Sequence, residues 1–453
     1  MLLTIEKLIY GGDGLSRLPA VSPPAGSPTD DRGRGKAVFV PFVLAGEKID
    51  ATLTEQKPGF ARAKVDSIIE PSPHRIQPAC PHFARCGGCH YQHTSYEHQL
   101  EIKKEILRES LRRTAKVELT SDIEVHPSPP WNYRNRSRLQ VQVSPTFAMG
   151  YFKMASHELL PVEECPISSP LINRGIAALW RSGRAGKVPS GVREVEFFAN
   201  ADDTRLLLDV GCAREARRAA VRVWAEELRA AMSEIAGVVA FREANPGDHK
   251  AAPQEILVTV GDSSLTYQTQ RAAYRVSAGS FFQTNRHLTD ELVRIVTQGQ
   301  SGKLALDLYA GVGLFSTVLA SDFRHIVSVE SSQTSTADLA YNRPNHGEAV
   351  QATTEQYLAR TESAGRAGKG ALPVPNKPDL AVVDPPRSGL GEGVARSLAN
   401  LGAPRITYVS CDPATLARDL VPMLAAGYRV DQVHLVDLFP QTYHLESVVH
   451  LVR

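Results

Sequence analysis

The sequence predicts an α/β protein with a doubly wound C-terminal domain, preceded by a small β-barrel and a central α+β domain. From about residue 267 onward, apolar runs rich in Val, Ile and Leu alternate with helical stretches, which is typical of parallel strands buried on both faces. Near the N-terminus, short runs with period-two alternation recur about every ten residues. The length of 453 residues suits about three domains. We place them at residues 1–70, 71–266 and 267–453.

Composition and charge indicate an ordinary globular protein, with 42% hydrophobic and 22% charged residues. No stretch approaches the roughly 18 uncharged residues of a membrane span, and the apolar start of the chain carries Glu6 and Lys7. We therefore expect a cytoplasmic protein without a membrane partner, and a monomer because no interface signal is visible. The net charge of +2 leaves nucleic-acid binding open, because a balanced protein can be basic on one face.

The first 70 residues predict small antiparallel strands that close into a barrel. Runs such as "KAVFVPFVL" and "EKIDATLTEQ" are separated by turn signals such as "GGDG" and "KPGF". A Pro, Gly and Ser-rich insertion around residues 20–36 interrupts them and predicts a flexible loop.

Residues 97–116 predict an amphipathic helix with basic residues around its apolar positions. A solvated face on a core helix and an RNA-facing surface are both compatible with this pattern. The next stretch, "WNYRNRSRLQVQV", interleaves Trp131 and Tyr133 with Arg134, Arg136 and Arg138. Aromatic and arginine side chains stack on bases and pair with phosphates, which favours RNA contact here.

A glycine turn follows the first buried strand of the C-terminal domain. In "LDLYAGVG" the strand runs directly into Gly311 and Gly313, which let the backbone approach a ligand at the carboxyl edge of the sheet. A dinucleotide fingerprint needs a third glycine where Ser316 stands. The next strand ends in Glu330, which suits ribose hydroxyls, although an acid can also simply end a strand. A glycine turn with a ribose acid and no pyrophosphate site favours S-adenosylmethionine (SAM) as the cofactor.

Two later strands also end in residues that carry chemistry. "VVDPPRSGL" ends in Asp384, and two prolines make the following turn rigid. "ITYVSCDPATLARDL" places Cys411 at a strand end, with Asp412 as helix N-cap and Pro413 at the first helical position. Because a helix N-terminus favours negative charge, we expect this thiol to ionise more readily than a free one. A buried cysteine is more often inert, but the shared sheet edge favours a catalytic role.

The tail "QTYHLESVVHLVR" supplies Glu446 before a final strand, two residues after His444. A thiolate, a methyl donor and a carboxylate together fit methylation of a pyrimidine at carbon 5. The thiolate adds to carbon 6, the resulting enolate takes the methyl group, a base removes the carbon 5 proton, and the thiolate leaves. Cys411 would be the nucleophile and Glu446 the base. The target base has to be splayed or flipped out of folded RNA to be reached.

Three of the six cysteines lie within the ten residues "CPHFARCGGC". Structural disulfides are uncommon in cytoplasmic proteins, so Cys80, Cys86 and Cys89 predict a metal site, with Cys165 as a fourth ligand if it folds back. The spacing alone leaves zinc and an iron-sulfur cluster equally open. Cys212 looks like a core or loop residue.

Taken together, these motifs resemble the RNA uracil-5-methyltransferases that combine an N-terminal TRAM domain with an iron-sulfur cluster. The matching stretches span almost the whole chain in the family's order: "CPHFARCGGCHYQH", "SFFQTN", "LDLYAGVG", "VSVE", "VVDPPRSGL", "VSCDPATLARDL" and "HLE". The resemblance implies SAM binding by Gln283, Tyr309, Glu330 and Asp384, Cys411 as nucleophile, Glu446 as base, and a 4Fe-4S cluster on Cys80, Cys86, Cys89 and Cys165.

The same resemblance implies a Rossmann-like, class I SAM-dependent methyltransferase domain at the C-terminus and an OB-like, RNA-binding TRAM barrel at the N-terminus. The implied partner is RNA, with 23S rRNA favoured and tRNA as the alternative. Two departures stand out. Leu314 replaces a polar residue that some members have after the glycine turn, and the insertion at residues 20–36 is not part of the family pattern.

Other functions stay open at this point. An RNA-binding module with a vestigial methyltransferase domain is one, but the complete set of catalytic and cofactor residues argues against it. Methylation of cytosine is another, and related cytosine enzymes tend to use two cysteines where this domain has only Cys411. For the cluster, a structural role that shapes the RNA surface is favoured over redox sensing, because methyl transfer from SAM needs no electron transfer.

Overall fold

The structure is a computed structural model, and it describes residues 1–18, 35–242, 255–364 and 377–453. Its strands form sheets of six, seven, two and eight strands, with helices on the two largest. The predicted α/β class is confirmed. The insertion predicted at residues 20–36 lies outside the described residues except for its last two positions.

The N-terminal six-stranded sheet has the order β1-β5-β6-β4-β3-β2 and is antiparallel except for the pair β4–β6. Its strands are β1 (Leu2–Thr4), β2 (Lys7–Leu8), β3 (Asp13–Arg17), β4 (Ala37–Pro41), β5 (Lys48–Gln56) and β6 (Phe60–Glu70). Alternate residues such as Val38, Val40 and Ile49 point into a separate small core and are fully buried. The period-two prediction is therefore confirmed for these strands.

The central sheet has the order β10-β9-β8-β11-β12-β13-β14. The predicted basic helix corresponds to α1 and one π-helical turn, Leu111–Ala115. The elements of this region are α1 (Tyr96–Ser110), β7 (Glu124–His126), β8 (Arg136–Gln142), β9 (Ala148–Phe152), β10 (Leu159–Pro161), α2 (Pro170–Arg184), β11 (Val192–Ala199), β12 (Leu206–Cys212), α3 (Arg218–Ala231), β13 (Ile235–Arg242) and β14 (Glu255–Gly261).

The eight-stranded sheet has the order β19-β18-β17-β20-β21-β23-β22-β7, so β7 joins it from the central region. Strand β15 spans the predicted boundary between residues 266 and 267. The remaining elements are β15 (Ser264–Gln268), β16 (Ala273–Ser277), α4 (Thr289–Thr297), β17 (Gly302–Leu308), α5 (Ser316–Leu319), β18 (Phe323–Glu330), α6 (Gln333–Asn342), β19 (Gly347–Gln351), α7 (Thr354–Ala364), β20 (Leu380–Val383), α8 (Gly391–Asn400), β21 (Arg405–Ser410), α9 (Pro413–Ala425), β22 (Arg429–Val436) and β23 (Glu446–Val452).

Strands β19, β18, β17, β20 and β21 are parallel, and the chain order reverses between β17 and β20. Every residue of β20 is fully buried, because the sheet has helices on both faces. In open sheets of this kind, ligands bind outside the carboxyl ends of the strands at such a reversal. No helix in the described part of the chain is both long and apolar enough to cross a membrane.

Candidate active site and cysteine cluster

The glycine turn after β17 lies at this strand-order reversal. Tyr309 and Gly311 both adopt positive φ angles, of 60° and 57°. No heavy atom lies within 4 Å of the position that a Cβ would take on Gly311, so the turn leaves open space beside the backbone. The Gly311 N–H donates to Glu330 Oε2 at 2.9 Å, and the Ser332 N–H donates to Glu330 Oε1 at 2.6 Å. Glu330 therefore fixes the turn to the end of β18.

Three of the four predicted cofactor residues meet at one small cavity. Gln283, Tyr309 and Asp384 line a space of about 30 Å³, together with Leu314 and Gly311. The Gln283 amide Nε2 donates a long hydrogen bond of 3.5 Å to Asp384 Oδ2. The fourth residue, Glu330, adjoins this cavity through its bond to Gly311. Leu314 gives the cavity an apolar wall where a polar residue would add a contact.

Asp384 on the cavity wall and the nearby Asp307 are two acidic side chains whose environment resists ionisation. Burial, followed by the charge of Asp307, raises the pKa of Asp384 to about 7. Burial also raises the pKa of Asp307 to about 7, although the Ser316 N–H donates to its carboxylate at 3.1 Å. Asp307 is fully buried and was not singled out in the sequence. A cationic ligand in this cavity would relieve the repulsion between the two carboxylates.

The register of two antiparallel strands brings Cys411 and Glu446 together. Ser410 at the end of β21 pairs with Ser447 near the start of β23, and the Ser447 hydroxyl donates to the Ser410 carbonyl at 3.3 Å. The next residues outward on the two strands are Cys411 and Glu446, so these face each other across the pair. Glu446 is only 4% exposed, and Cys411 is half-buried.

The expectation that Cys411 ionises readily is wrong. Burial, followed by the charges of Glu446 and Asp384, raises the pKa of the Cys411 thiol to about 12. The N-terminus of α9 cannot offset this, because the Asp412 carboxylate already accepts two backbone N–H groups of its first turn at 2.9 Å. Burial and Asp384 likewise raise the pKa of Glu446 well above its ordinary range. The site thus disfavours two neighbouring negative charges.

Arg387 is a candidate site residue that the sequence analysis missed. It is the cation that lowers the pKa of both Cys411 and Glu446. Its backbone carbonyl accepts a hydrogen bond from the Thr415 hydroxyl at 3.2 Å, and its side chain lies 3.3 Å from His444 Nε2. The available signal was a cation directly after the two prolines of "VVDPPRSGL".

The N-terminal sheet reaches the nucleophile loop through one side chain. The Tyr10 hydroxyl donates to the Cys411 carbonyl at 3.1 Å. The Tyr10 ring packs edge-on against Tyr443, with 5.6 Å between the ring centroids. The first 70 residues therefore contact the backbone of Cys411 and the ring of Tyr443, three residues before Glu446.

The central region anchors the segment 437–446, which leads from β22 to Glu446. Lys103 Nζ binds Asp437 Oδ1 at 2.6 Å, and both side chains are fully buried. Gln99 and Gln441 exchange two hydrogen bonds, of 2.9 and 3.0 Å. Residues from α1 therefore set the position of the segment that carries the candidate base.

The remaining basic side chains of α1 and of the π-helical turn after it are taken up largely by ion pairs. Lys104 and Arg108 both bind Asp122, at 2.5 and 2.7 Å, and Arg113 binds Glu109 at 3.2 Å. The solvated-face interpretation therefore fits this helix better than an RNA-facing one.

The expectation of RNA contact around residue 134 is wrong for Tyr133 and Arg136. Tyr133 is fully buried, and its hydroxyl donates to the Pro440 carbonyl at 3.0 Å. Arg136 is 9% exposed and donates to the Ser280 carbonyl at 2.6 Å. Arg138 is exposed but already contacts two carboxylates. Tyr133 and Arg136 therefore bond the central region to other parts of the protein instead of facing solvent.

The four predicted metal ligands meet in the central region. Cys80, Cys86, Cys89 and Cys165 line one cavity of about 80 Å³, and all four are free cysteines. Cys165 does fold back, since it lines the same cavity as the other three. The Asn173 side chain holds it there by accepting from its N–H and donating to its carbonyl, at 2.9 and 3.0 Å. All four belong to the described part of the chain, and no three of their sulfurs lie within 4.8 Å of one another.

Two features next to this cavity fit an anionic group bound by the sulfurs. Arg134 lines the cavity, and its Nε is buried without a hydrogen-bond partner among the described residues. A Cβ on Gly88 would lie 3.5 Å from the Cys86 sulfur, so the backbone approaches that sulfur closely.

Directly after Cys89, the His90 N–H donates to the Gln441 carbonyl at 2.8 Å. The cysteine segment is therefore bonded to the segment that leads to Glu446.

Comparison with known proteins covers nearly the whole chain. An uncharacterized RNA methyltransferase of Aquifex aeolicus is 32% identical, with 99% of this chain and 97% of the relative covered. The 23S rRNA (uracil(1939)-C(5))-methyltransferase of Vibrio parahaemolyticus is 29% identical, with 98% and 94% covered. Among solved structures, the tRNA (uracil-54, C5)-methyltransferase of Pyrococcus abyssi has the same fold, with a TM-score of 0.71, 23% identity and 100% of both chains covered.

A match to a whole family adds to these individual relatives. Residues 95–453 match the tRNA (uracil-5-)-methyltransferase family. This range contains β7, every strand of the eight-stranded sheet and both members of the candidate catalytic pair. The predicted enzyme class, an RNA uracil-5-methyltransferase, is thereby confirmed, and the chain belongs to the tRNA (uracil-5-)-methyltransferase family.

Proposed function

We propose that this enzyme methylates carbon 5 of a uridine in RNA through a covalent bond from Cys411 to carbon 6, with SAM as the methyl donor. The observation that carries the proposal is the strand register that sets Cys411 opposite Glu446. Asp384 joins this pair to the cofactor cavity, because it lines the cavity and its charge raises the pKa of both residues.

The residues around the cavity fit SAM by their chemistry. Glu330 suits ribose hydroxyls, and Gln283 and Tyr309 supply polar groups to the cavity wall. When bound, SAM supplies an electrophilic methyl group on a positively charged sulfonium. The paired carboxyl groups of Asp307 and Asp384 complement that positive charge.

Cys411 and Glu446 perform the covalent steps. The Cys411 thiolate forms a bond to carbon 6 of uracil, which turns carbon 5 into a nucleophile. Carbon 5 would then take the methyl group from the sulfonium of SAM, whose methyl–sulfur bond breaks and leaves S-adenosylhomocysteine. Glu446 then takes the proton from carbon 5. The electron pair left behind re-forms the double bond between carbons 5 and 6, and the bond from carbon 6 to sulfur breaks. Cys411 thus leaves as a thiolate, and the product is 5-methyluridine.

For the target we propose 23S rRNA. The Vibrio parahaemolyticus relative, whose name specifies that RNA, covers 98% of this chain. Transfer RNA is the alternative substrate, and the experiment below separates the two. We further assign residues 1–70 as the RNA-binding, TRAM-like barrel and residues 267–453 as the methyltransferase domain. The hydrogen bond from Tyr10 to Cys411 supports a role for the barrel near the reacting base.

We propose that Cys80, Cys86, Cys89 and Cys165 hold a 4Fe-4S cluster. Around a single zinc ion, four sulfurs would lie about 3.8 Å apart, whereas a four-iron cubane needs a wider spacing. Among the described residues no three of these sulfurs lie within 4.8 Å of one another, and this spacing and the unpartnered Nε of Arg134 support the larger, anionic group. Its role is structural, because it fixes the cysteine segment. The His90 N–H of that segment donates to the carbonyl of Gln441, which lies in the segment that leads to Glu446.

The test is methyl transfer from SAM carrying a labelled methyl group to purified 23S rRNA and bulk tRNA, followed by nucleoside analysis. The proposal predicts labelled 5-methyluridine, with 23S rRNA as the better substrate, and none with a Cys411→Ser variant. Labelled 5-methylcytidine, or no transfer to either RNA by cluster-loaded protein, would contradict the proposed reaction. Transfer to tRNA alone would contradict only the proposed target.

A further inference from the structure

Two histidines and a glutamate meet at the β22–β7 edge of the eight-stranded sheet. The two strands are parallel, and their register sets Glu124 beside His434 and His126 beside Val436. The ligand atoms of Glu124, His126 and His434 all lie within 4.8 Å of one another, and within the described ranges no other group of three meets this limit. We infer that these three side chains form a binding site for a divalent transition-metal ion, with zinc as the best match.

The distances between the ligand atoms fit a single ion. His126 Nε2 lies 3.1 Å from His434 Nδ1. The two oxygens of Glu124 lie 3.4 Å from His434 Nδ1 and 3.7 Å from His126 Nε2. Ligands at 2.0–2.1 Å from a tetrahedral zinc ion are about 3.3 Å apart. Two imidazoles and one carboxylate are also a ligand set that zinc uses in proteins.

An independent contact prepares His126 for metal binding. Its other ring nitrogen, Nδ1, lies 2.7 Å from Glu291 Oε1 on α4, and Arg294 holds the same carboxylate at 2.6 Å. A proton on Nδ1, donated to Glu291, leaves the lone pair of Nε2 directed toward Glu124 and His434. A carboxylate behind a histidine is the usual outer partner of a metal-binding imidazole.

The site is accessible from solvent on one side. His126 and His434 are each 7% exposed, whereas the Glu124 side chain is 63% exposed. Glu124 and His434 also line a cavity of about 360 Å³ that includes Asp431 and His450. An ion can therefore reach Glu124 and His434 from the cavity.

The ion would tie the central region to the catalytic sheet. It bridges β7, which precedes the central sheet, to β22, and through Glu291 it is supported by α4. His434 lies two residues before Val436, which pairs with Glu446 in the neighbouring strand. The inference rests on these contacts alone and does not depend on the proposed methylation chemistry.

The test uses full-length protein whose cysteine site is loaded with its cluster, so that the thiols are occupied. Isothermal titration with zinc sulfate should show one equivalent of zinc bound in addition to the cluster. The His126→Gln/His434→Gln double variant should lose at least about 100-fold in zinc affinity, and Glu291→Gln should lose about 10- to 100-fold. The control His325→Gln, at an exposed histidine of β18, should bind zinc like the native protein.

Cobalt provides a readout that needs no variant. Co²⁺ bound to the native protein should show visible ligand-field bands without the near-ultraviolet charge-transfer band of a thiolate ligand. If the cluster-loaded native protein binds neither ion, or if the folded double variant binds zinc as tightly, the three side chains form only a hydrogen-bonded network and the inference is overturned. Should the double variant fail to fold, Glu291→Gln and the cobalt spectrum decide.

Discussion

Alkylation of Cys411 should be slow in the native protein and should accelerate when a cation occupies the cofactor cavity. Burial and two carboxylates raise the pKa of this thiol from 9.0 to about 12. At pH 8 the thiolate fraction is therefore about 1,000-fold lower than for an ordinary cysteine. A more basic thiolate is also more nucleophilic, which raises its alkylation rate by about 15- to 30-fold. The net result is alkylation about 30- to 60-fold slower than that of an ordinary cysteine.

The assay is iodoacetamide labelling at pH 8, with the Cys411 peptide followed by mass spectrometry and urea-unfolded protein as the reference. SAM should accelerate labelling relative to S-adenosylhomocysteine, because the two share their other groups and only SAM carries the sulfonium charge. Labelling should be faster with SAM because a nearby cation lowers the pKa of a thiol. Native Cys411 reacting as fast as the unfolded reference, or equal rates with the two ligands, would refute this reasoning.

Three further predictions concern the surroundings of the nucleophile. Glu446→Gln should accumulate a covalent adduct with unmodified RNA, visible in denaturing gels. Folding raises the pKa of Glu446, so ionising this carboxyl group in the folded protein costs stability. The cost is absent below the pKa of the unfolded state and grows as the pH rises above it. The melting temperature of the variant should therefore exceed that of the native protein by more at pH 8 than at pH 5. Lys103→Ala should cost about 3–5 kcal/mol in chemical denaturation, because it leaves a buried carboxylate unpaired, while the more exposed Lys104→Ala should cost under about 1 kcal/mol. Tyr10→Phe removes one hydrogen bond to the Cys411 carbonyl and should lower kcat by about 5-fold without unfolding the protein, whereas an unchanged kcat would show that the bond has no role in turnover.

The gathering of Glu330, Asp384 and Cys411 could be predicted from the sequence because each lies at the end of a parallel strand, and these strands share one carboxyl edge. Gln283 lies outside these strands, between β16 and α4, and its place 3.5 Å from Asp384 was implied only by the family resemblance. The gathering of the four cysteines was also predictable, since short spacing and a fourth cysteine suffice to suggest a site.

The charge state of Cys411 could not be predicted from its own neighbours. The helix N-terminus argued for a low pKa, but Glu446 and Asp384 come from other strands and act in the opposite direction. The same holds for Lys103, whose carboxylate partner lies 334 residues away. Such long-range pairs leave no local pattern in the sequence.

The basic, aromatic stretch around residue 134 was predicted to contact RNA, and this prediction was wrong for Tyr133 and Arg136. Its composition is typical of an RNA-binding surface, yet Tyr133 is buried and Arg136 donates to a carbonyl inside the protein. Burial of a cation depends on partners such as Glu196, which lies on a strand that pairs with β8. Composition alone cannot distinguish these two uses of arginine.

The most direct test of Cys411 as nucleophile is covalent trapping with RNA that contains 5-fluorouridine. Fluorine does not leave carbon 5 as a proton does, so the bond between the enzyme and carbon 6 should persist. With native protein and SAM we expect a band stable to denaturing electrophoresis, and we expect none without SAM and none with Cys411→Ser. A trapped band of equal intensity with Cys411→Ser, or no band from cluster-loaded protein that binds SAM, would contradict the central claim that Cys411 is the nucleophile.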